Sequence, residues 1–275
     1  MTEPDFELFT SLRYDPKLSG VPGAATEGLD RGWNASKPSP LYMLDYHRDR
    51  MLRAATHFGW TDAMAAIDGD AGLARLEAFI LGLPEVGERP LRVKVTLSKA
   101  GQFGHEAGPV PEQFLPNLFP QSLPPPDQGA QDGGVVKSPT YSIVVDLDQT
   151  PPSEYTHYKT TRREMYNSAR QRMGIGATDT AEVLLVNTSD GSIMEGSLVT
   201  PYFWRNGRWV TPPVPARFSL DAKIGGQDGT TRRWALERGL CVEEAVKASS
   251  LVEGEECWIS NGVRGFNFGK VTLAK

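Results

Sequence analysis

The sequence predicts an α+β protein in two parts. Three observations lead there: helical and strand spacings both occur before residue 120, a strand-rich stretch begins at 139, and a proline-rich segment without periodicity separates them. A chain of 275 residues can bury one large core or two modest ones. Its 39% hydrophobic residues, including six Trp and eleven Phe, are enough to fill such a core, which excludes a disordered chain. The expected division is a smaller α+β N-terminal domain over 1–120, an interdomain loop over 121–138 and a larger C-terminal domain over 139–275. A ligand site between the halves is the natural expectation.

Taken in order, "FELFTSLRYDP" (6–16) mixes apolar and polar positions as a strand and ends in a proline turn. A proline-rich entry and a short apolar strand precede Tyr46, Met51, Leu52, Ala55 and Phe58, which recur at helical spacing until Gly59. A second helix is expected over 72–83, and 90–108 alternates as two strands turning at Lys99-Ala100-Gly101. Residues 109–139 hold eight prolines, so they read as a connection, with "DQGAQDGG" as its flexible middle. A strand over 140–148, a helix over 157–174, and two strands joined at Ser189-Asp190-Gly191 follow. "PYFWRNGRWVTPP" reads as a hairpin, because Asn206-Gly207 accepts the positive φ angles of a two-residue turn. A helix over 230–239 stopped by Gly239, then "CVEEAV" and a strand "ECWISN", complete the pass.

A net charge of −5 without a basic run disfavours nucleic acid and anionic membranes as partners and favours a small-molecule substrate. No apolar run approaches the length of a membrane span. The opening "MTEPDFELFTSL" lacks the pattern of a secretory signal, and two cysteines without metal spacing suit a reducing compartment, so a cytoplasmic location is expected. The usual nucleotide and zinc motifs are absent, and Asp45, His47 and Asp49 read as a helix face rather than a metal site.

Three segments carry chemistry. "GGQDGTTRRWALERG" (225–239) is a glycine-rich turn opening a helix through Thr230 and Thr231, suited to an anion; capping by Asp228 or Thr230 is the structural alternative. Glu195 follows an apolar strand, where a carboxylate turned inward needs a cationic or protonated partner. Arg264 lies in the glycine-flanked loop "NGVRGF", where its forked donors suit an anionic substrate.

In sequence order, "YMLDYHRDRML", "YKTTRREMY", "VLLVNTSDGSIMEGS", "RNGRWVTPP", "GTTRR" and "WISNGVRG" resemble the fold-type IV pyridoxal-phosphate enzymes, the class IV aminotransferase family. Within that family, "FELFTSLR", "YKTTRR", "GRWVTPP" and "NGVRG" are most similar to 4-amino-4-deoxychorismate lyases. The resemblance spans residues 6–266 and implies the two-domain α+β fold of the family, a homodimer, and pyridoxal 5'-phosphate in the interdomain cleft.

It also implies roles. Lys159, in the larger domain, would carry the cofactor and shuttle the proton. Arg50 and the Thr230–Thr231 pair would hold the phosphate, and Glu195 would pair with the protonated pyridine nitrogen. Arg163 would share a helix face with Lys159 and approach the cofactor, while Ser11, Arg13 and Arg264 would bind substrate. The implied reaction cleaves 4-amino-4-deoxychorismate to 4-aminobenzoate and pyruvate, a step toward folate. The alternative is an aminotransferase acting on a D- or branched-chain amino acid or an amine. Three positions depart from the family pattern: Thr200 replaces an asparagine, Ser11 a threonine, and Glu164 the transaminase tyrosine, with Tyr166 close by.

Overall fold

The computed structural model describes residues 5–23, 32–129, 134–219, 221 and 223–273; the centre of the expected flexible stretch, 130–133, lies outside them. The chain divides into two compact units, Met1–Glu112 with Tyr158–Arg162, and Gln113–His157 with Arg163–Lys275. Lys159, expected in the C-terminal half, thus groups with the first unit.

In the first unit, β1 (Leu8–Tyr14) precedes four helices, α1 (Trp33–Ser36), α2 (Leu44–His57), α3 (Thr61–Ile67) and α4 (Gly69–Leu81). The strands β2 (Leu91–Leu97) and β3 (Phe103–Pro109) follow, and the antiparallel sheet runs β1-β2-β3. Register places Leu8 opposite Leu97 and Leu12 opposite Val93, so one face of the sheet is apolar and buried. Helix α2 covers that face. The expected apolar strand before α2 reduces to a single bridge, Leu41 with Tyr14, because Met43 turns the chain at φ 51° into the helix. The Asn34 side chain secures that turn, donating to the Leu41 carbonyl at 3.0 Å and accepting from the Met43 N–H at 3.0 Å.

The expected helix over 157–174 is not continuous. In the second unit α5 (Leu115–Leu118) and β4 (Tyr141–Thr150) lead to α6 (Glu154–His157), and helix resumes only at α7 (Glu164–Arg172). Between them the chain is extended along the free edge of β1: Phe9 N–H donates to the Lys159 carbonyl at 3.1 Å and Thr161 N–H to the Glu7 carbonyl at 2.9 Å. The β-branched pair Thr160-Thr161 suits this strand-like path better than a helix. Arg163 therefore occupies the N-cap of α7 and shares no helix face with Lys159.

The remaining elements are β5 (Ala181–Asn187), β6 (Ile193–Gly196), β7 (Thr200–Arg205), β8 (Arg208–Thr211), α8 (Thr230–Glu237), β9 (Val242–Glu243), β10 (Glu256–Asn261) and β11 (Gly265–Thr272). They form with β4 an eight-stranded mixed sheet of order β6-β5-β4-β11-β10-β7-β8-β9. Strand β5 is buried on both faces, which explains its unbroken apolar run: Leu184 and Val186 join Phe203, Ile259 and Val271, whereas Val183 and Leu185 pack with Tyr166 and Ala169 of α7. Asn206 and Gly207 adopt φ of 52° and 78°, the two-residue turn expected between β7 and β8. No helix among the described residues is long and apolar enough to cross a membrane.

Candidate functional site

In the first unit, Lys159 and Arg50 reach neighbouring residues of β1. The Lys159 ammonium lies 4.8 Å from the centre of the Phe9 ring. On the next residue, Thr10 Oγ1 accepts from Arg50 Nη2 at 2.6 Å and stands 2.6 Å from His47 Nδ1. A guanidinium only donates, so the hydroxyl proton of Thr10 remains available to the imidazole. Arg50 and His47 are three residues apart on α2 and face the same strand.

Burial, then the charges of Arg50 and Lys159, hold the His47 pKa well below its ordinary 6.5. A depressed imidazole pKa means the fold favours the neutral ring. Its contribution to stability is complete above about pH 6.5 and is lost as pH falls through the lower folded value. The urea midpoint is therefore expected to drop between pH 7.5 and 5.5, and to drop less in His47→Asn; an equal drop in both would remove His47 as the cause.

Among the expected substrate residues in this unit, Ser11 is half-buried on β1 opposite Lys94. Arg13 has a side chain 1% exposed: Nε donates to Asp15 Oδ2 at 2.8 Å and Nη1 to the Pro111 carbonyl at 3.1 Å, while Nη2 lies 2.7 Å from Asp15 Oδ2 in an ion pair but has no hydrogen-bond partner among the described residues. It forms an ion pair within the unit.

In the second unit, a bulge sets the position of Glu195. Leu185 pairs with Glu195 but Val186 pairs with Ile193, so Met194 is the extra residue, and Glu195 turns to the α7 side of the sheet. There its carboxylate accepts from Tyr166 Oη at 2.5 Å, and Tyr166 Oη accepts from Gln227 Nε2 at 3.0 Å. Burial, followed by the charge of Glu195 and its hydrogen bond, raises the Tyr166 pKa well above 10.0, so the phenol keeps its proton and donates it. Arg163 stacks 4.5 Å from the Tyr166 ring centre and donates to the Ser197 carbonyl at 2.7 Å.

The turn before α8 presses against β6. A Cβ on Gly225 would come within 2.3 Å of the Met194 sulfur, and one on Gly226, at φ 100°, within 2.9 Å of the Met194 carbonyl oxygen. Gly229 is the N-cap of α8 and supplies no side chain; Asp228 pairs instead with Arg232 at 3.2 Å, so neither capping alternative holds. Thr231 Oγ1 lies 2.7 Å from Ser260 Oγ, while Thr230 Oγ1 is buried with no hydrogen-bond partner among the described residues. An uncapped helix start with a buried, unanswered hydroxyl fits a phosphate. Thr200 stands beside this turn, its hydroxyl 2.8 Å from where a Gly229 Cβ would be.

Arg264 sits in the β10–β11 turn, held by Asn261 Oδ1 at its N–H (2.8 Å), with Nη1 3.2 Å from Tyr141 Oη. Glu164, at the transaminase tyrosine spacing, is exposed. Burial pushes the Cys241 thiol up to about 12, and the buried Cys257 thiol also upward, so neither acts as a nucleophile at neutral pH. Sequence reasoning missed Thr10, His47 and Gln227. The spacing of His47 and Arg50 on one helix face was the available signal for the first two.

A family model described as amino-transferase class IV matches residues 32–267. In sequence, 206 residues are 28% identical to the aminodeoxychorismate lyase of Saccharomyces cerevisiae, covering 66% of this chain and 51% of that protein. The chain spans about half the length of the curated relatives it matches, at 51% and 52%. A provisionally assigned amino-acid aminotransferase from Mesorhizobium loti superposes with a TM-score of 0.62 at 19% identity, over 98% of this chain and all (100%) of that one. A provisionally assigned 4-amino-4-deoxychorismate lyase from Haemophilus somnus gives 0.56 at 16%, over 96% and 100%.

Proposed function

Because the chain belongs to the class IV aminotransferase family, matched over residues 32–267, we propose that it is a pyridoxal-phosphate-dependent lyase converting 4-amino-4-deoxychorismate to 4-aminobenzoate and pyruvate. The observation that carries this reading over transamination is the likeness to the yeast lyase, 28% over 206 residues. The exposed Glu164, where a transaminase would set a tyrosine, supports the same choice.

When bound, pyridoxal phosphate withdraws electrons from the carbon bearing the substrate amine and so acidifies its C–H. Lys159 would be the residue that holds the cofactor, and its Nζ would serve as the base for that C–H proton. In this reading Arg50, fixed by Thr10, would bind the phosphate, and the start of α8 would offer it Thr230 and Thr231. Glu195, oriented by Tyr166 and Gln227, would supply the negative charge that keeps the ring nitrogen protonated. Arg163 braces Tyr166 from the side.

Arg264 offers its guanidinium to a substrate carboxylate. Elimination of the enolpyruvyl group aromatises the ring, and Lys159 returns a proton to the methylene carbon of the leaving group. Atoms balance within one substrate, so no oxo acid is consumed.

The test is to incubate the holoenzyme with 4-amino-4-deoxychorismate, without an oxo acid, and follow both products. Equal release of pyruvate and 4-aminobenzoate is expected. Release of neither, with amino transfer from an amino acid to a 2-oxo acid, would assign the aminotransferase instead. The same reading places the enzyme in the cytoplasm as a homodimer serving folate synthesis.

A further inference from the structure

Glu182 is a buried carboxylate on β5, 2% exposed, that the proposed reaction does not use. Besides the Val183 N–H, which donates to Oε1 at 2.9 Å, its oxygens are taken up by one turn. Oε1 accepts from Ser197 N–H at 3.0 Å and from the Ser197 hydroxyl, and Oε2 accepts from Leu198 N–H at 3.2 Å. Arg170 stands 3.5 Å from Oε1 and also donates to Ser197 Oγ at 3.1 Å. Gly196 lets the turn approach this closely, since a Cβ there would lie 3.1 Å from Glu182 Cγ and 2.5 Å from Val199 Cγ2.

That turn begins at the residue after Glu195. Its Ser197 carbonyl receives Arg163, Arg163 stacks on Tyr166, and Tyr166 donates to Glu195. The contacts close a ring: Glu182, the 196–198 turn, Arg163, Tyr166, Glu195 and back through the backbone to the turn. We infer that Glu182 is a positioning residue for Glu195, acting at both ends of the ring by fixing the backbone after Glu195 and the carbonyl that holds Arg163 over Tyr166.

The arrangement has a reason in its energetics. A carboxylate this deep is held above its ordinary 4.5 by burial and drawn back by hydrogen bonds from Ser197 and Val183. A purely structural role at this position would be met by an apolar side chain of similar volume, without the cost of burying a charge. What an apolar side chain cannot do is receive two successive backbone N–H groups and fix the direction of the carbonyl between them.

The consequence for turnover rests on the role proposed for Glu195, but the ring itself is testable without cofactor or substrate. The experiment is NMR of apo-protein labelled with 13C at tyrosine Cζ, with Tyr166 assigned from Tyr166→Phe. In Glu182→Gln the Tyr166 signal is expected to shift while signals of tyrosines outside the ring stay in place. In the holoenzyme kcat is expected to fall about 10-fold, as for loss of an outer partner of a functional group, with KM little changed.

Ser197→Ala, which removes one donor and leaves the charge, is expected to give the same shift at smaller amplitude and serves if Glu182→Gln does not fold. An unmoved Tyr166 signal in a folded variant, with only thermal stability lowered, would overturn the inference. A shifted signal in a protein that proves to have no lyase activity would leave the ring standing and remove only its proposed consequence.

Discussion

Lys159→Ala is expected to abolish turnover while leaving the protein folded. The side chain has two jobs in the proposed reaction, holding the cofactor and moving the proton. Loss of a positioned proton-transfer group alone costs up to about 10⁴-fold, and loss of the covalent attachment adds to it. Its contribution to the fold is small by comparison. The strand-like pairing with β1 uses the Lys159 carbonyl, which alanine retains, and the contact with Phe9 is a cation–π interaction of about 0.5–1 kcal/mol at a partly exposed site.

The two readouts should therefore separate: kcat falls to background and the visible absorbance of lysine-bound cofactor disappears, while the urea midpoint stays within a few tenths of a molar unit of the parent. Lys159→Arg, which keeps the charge over Phe9, is expected to be equally inactive. Retained turnover in either variant would overturn the assignment of Lys159 and the reaction built on it.

Arg13→Met is expected to act in the opposite way, on stability and not on substrate. The guanidinium and its partner Asp15 have side chains 1% and 3% exposed. Removing the cation leaves a buried carboxylate that keeps one donor, the Lys17 N–H 3.1 Å from Oδ1. Breaking a buried pair from one side costs about 3–5 kcal/mol. Denaturation should report a loss of that order, and where the variant remains folded its KM should be unchanged.

The double variant Arg13→Met/Asp15→Leu removes both charges and should recover much of the loss, the signature of a pair whose members depend on each other. A large rise in KM in a variant of parental stability would return Arg13 to the substrate.

These two residues also show how far the sequence could be read. Hairpins were legible because their determinants are local: Asn206-Gly207 carries its turn preference in two residues, and β2 alternates up to the turn at Gly101 that leads into β3. The run "KTTRR" pointed to Lys159 by resemblance, but its backbone did not follow from spacing. The partner of residues 159–161 is β1, some 150 positions earlier, and no helical or strand period in the segment encodes that pairing. The burial of Arg13 was not legible for a different reason.

Its opposite charge stands only two residues on, at Asp15, where an extended chain returns to the same face; the sequence therefore contained the pair, but not whether that face would be covered. Glu195 was read as a buried carboxylate, and so it is at 7% exposure. Its partners Tyr166 and Gln227 come from a helix and a loop, and what aligns them is the bulge at Met194, which leaves no local mark.

The strand-like segment 158–162 also governs the order in which the protein can be made. A nascent chain that has reached residue 112 has the described helices and three strands of the first unit, yet the outer edge of β1 lacks its 158–162 neighbour and Lys159 has not been made. Residues 113–157 must be synthesised before that edge is covered. The first unit to emerge thus waits until part of the second has been made, and through that interval the uncovered edge of β1 is open to pairing with another chain. Separately expressed, residues 1–112 would be both catalytically empty and prone to associate; appending 158–162 through a short linker should cure the second defect first.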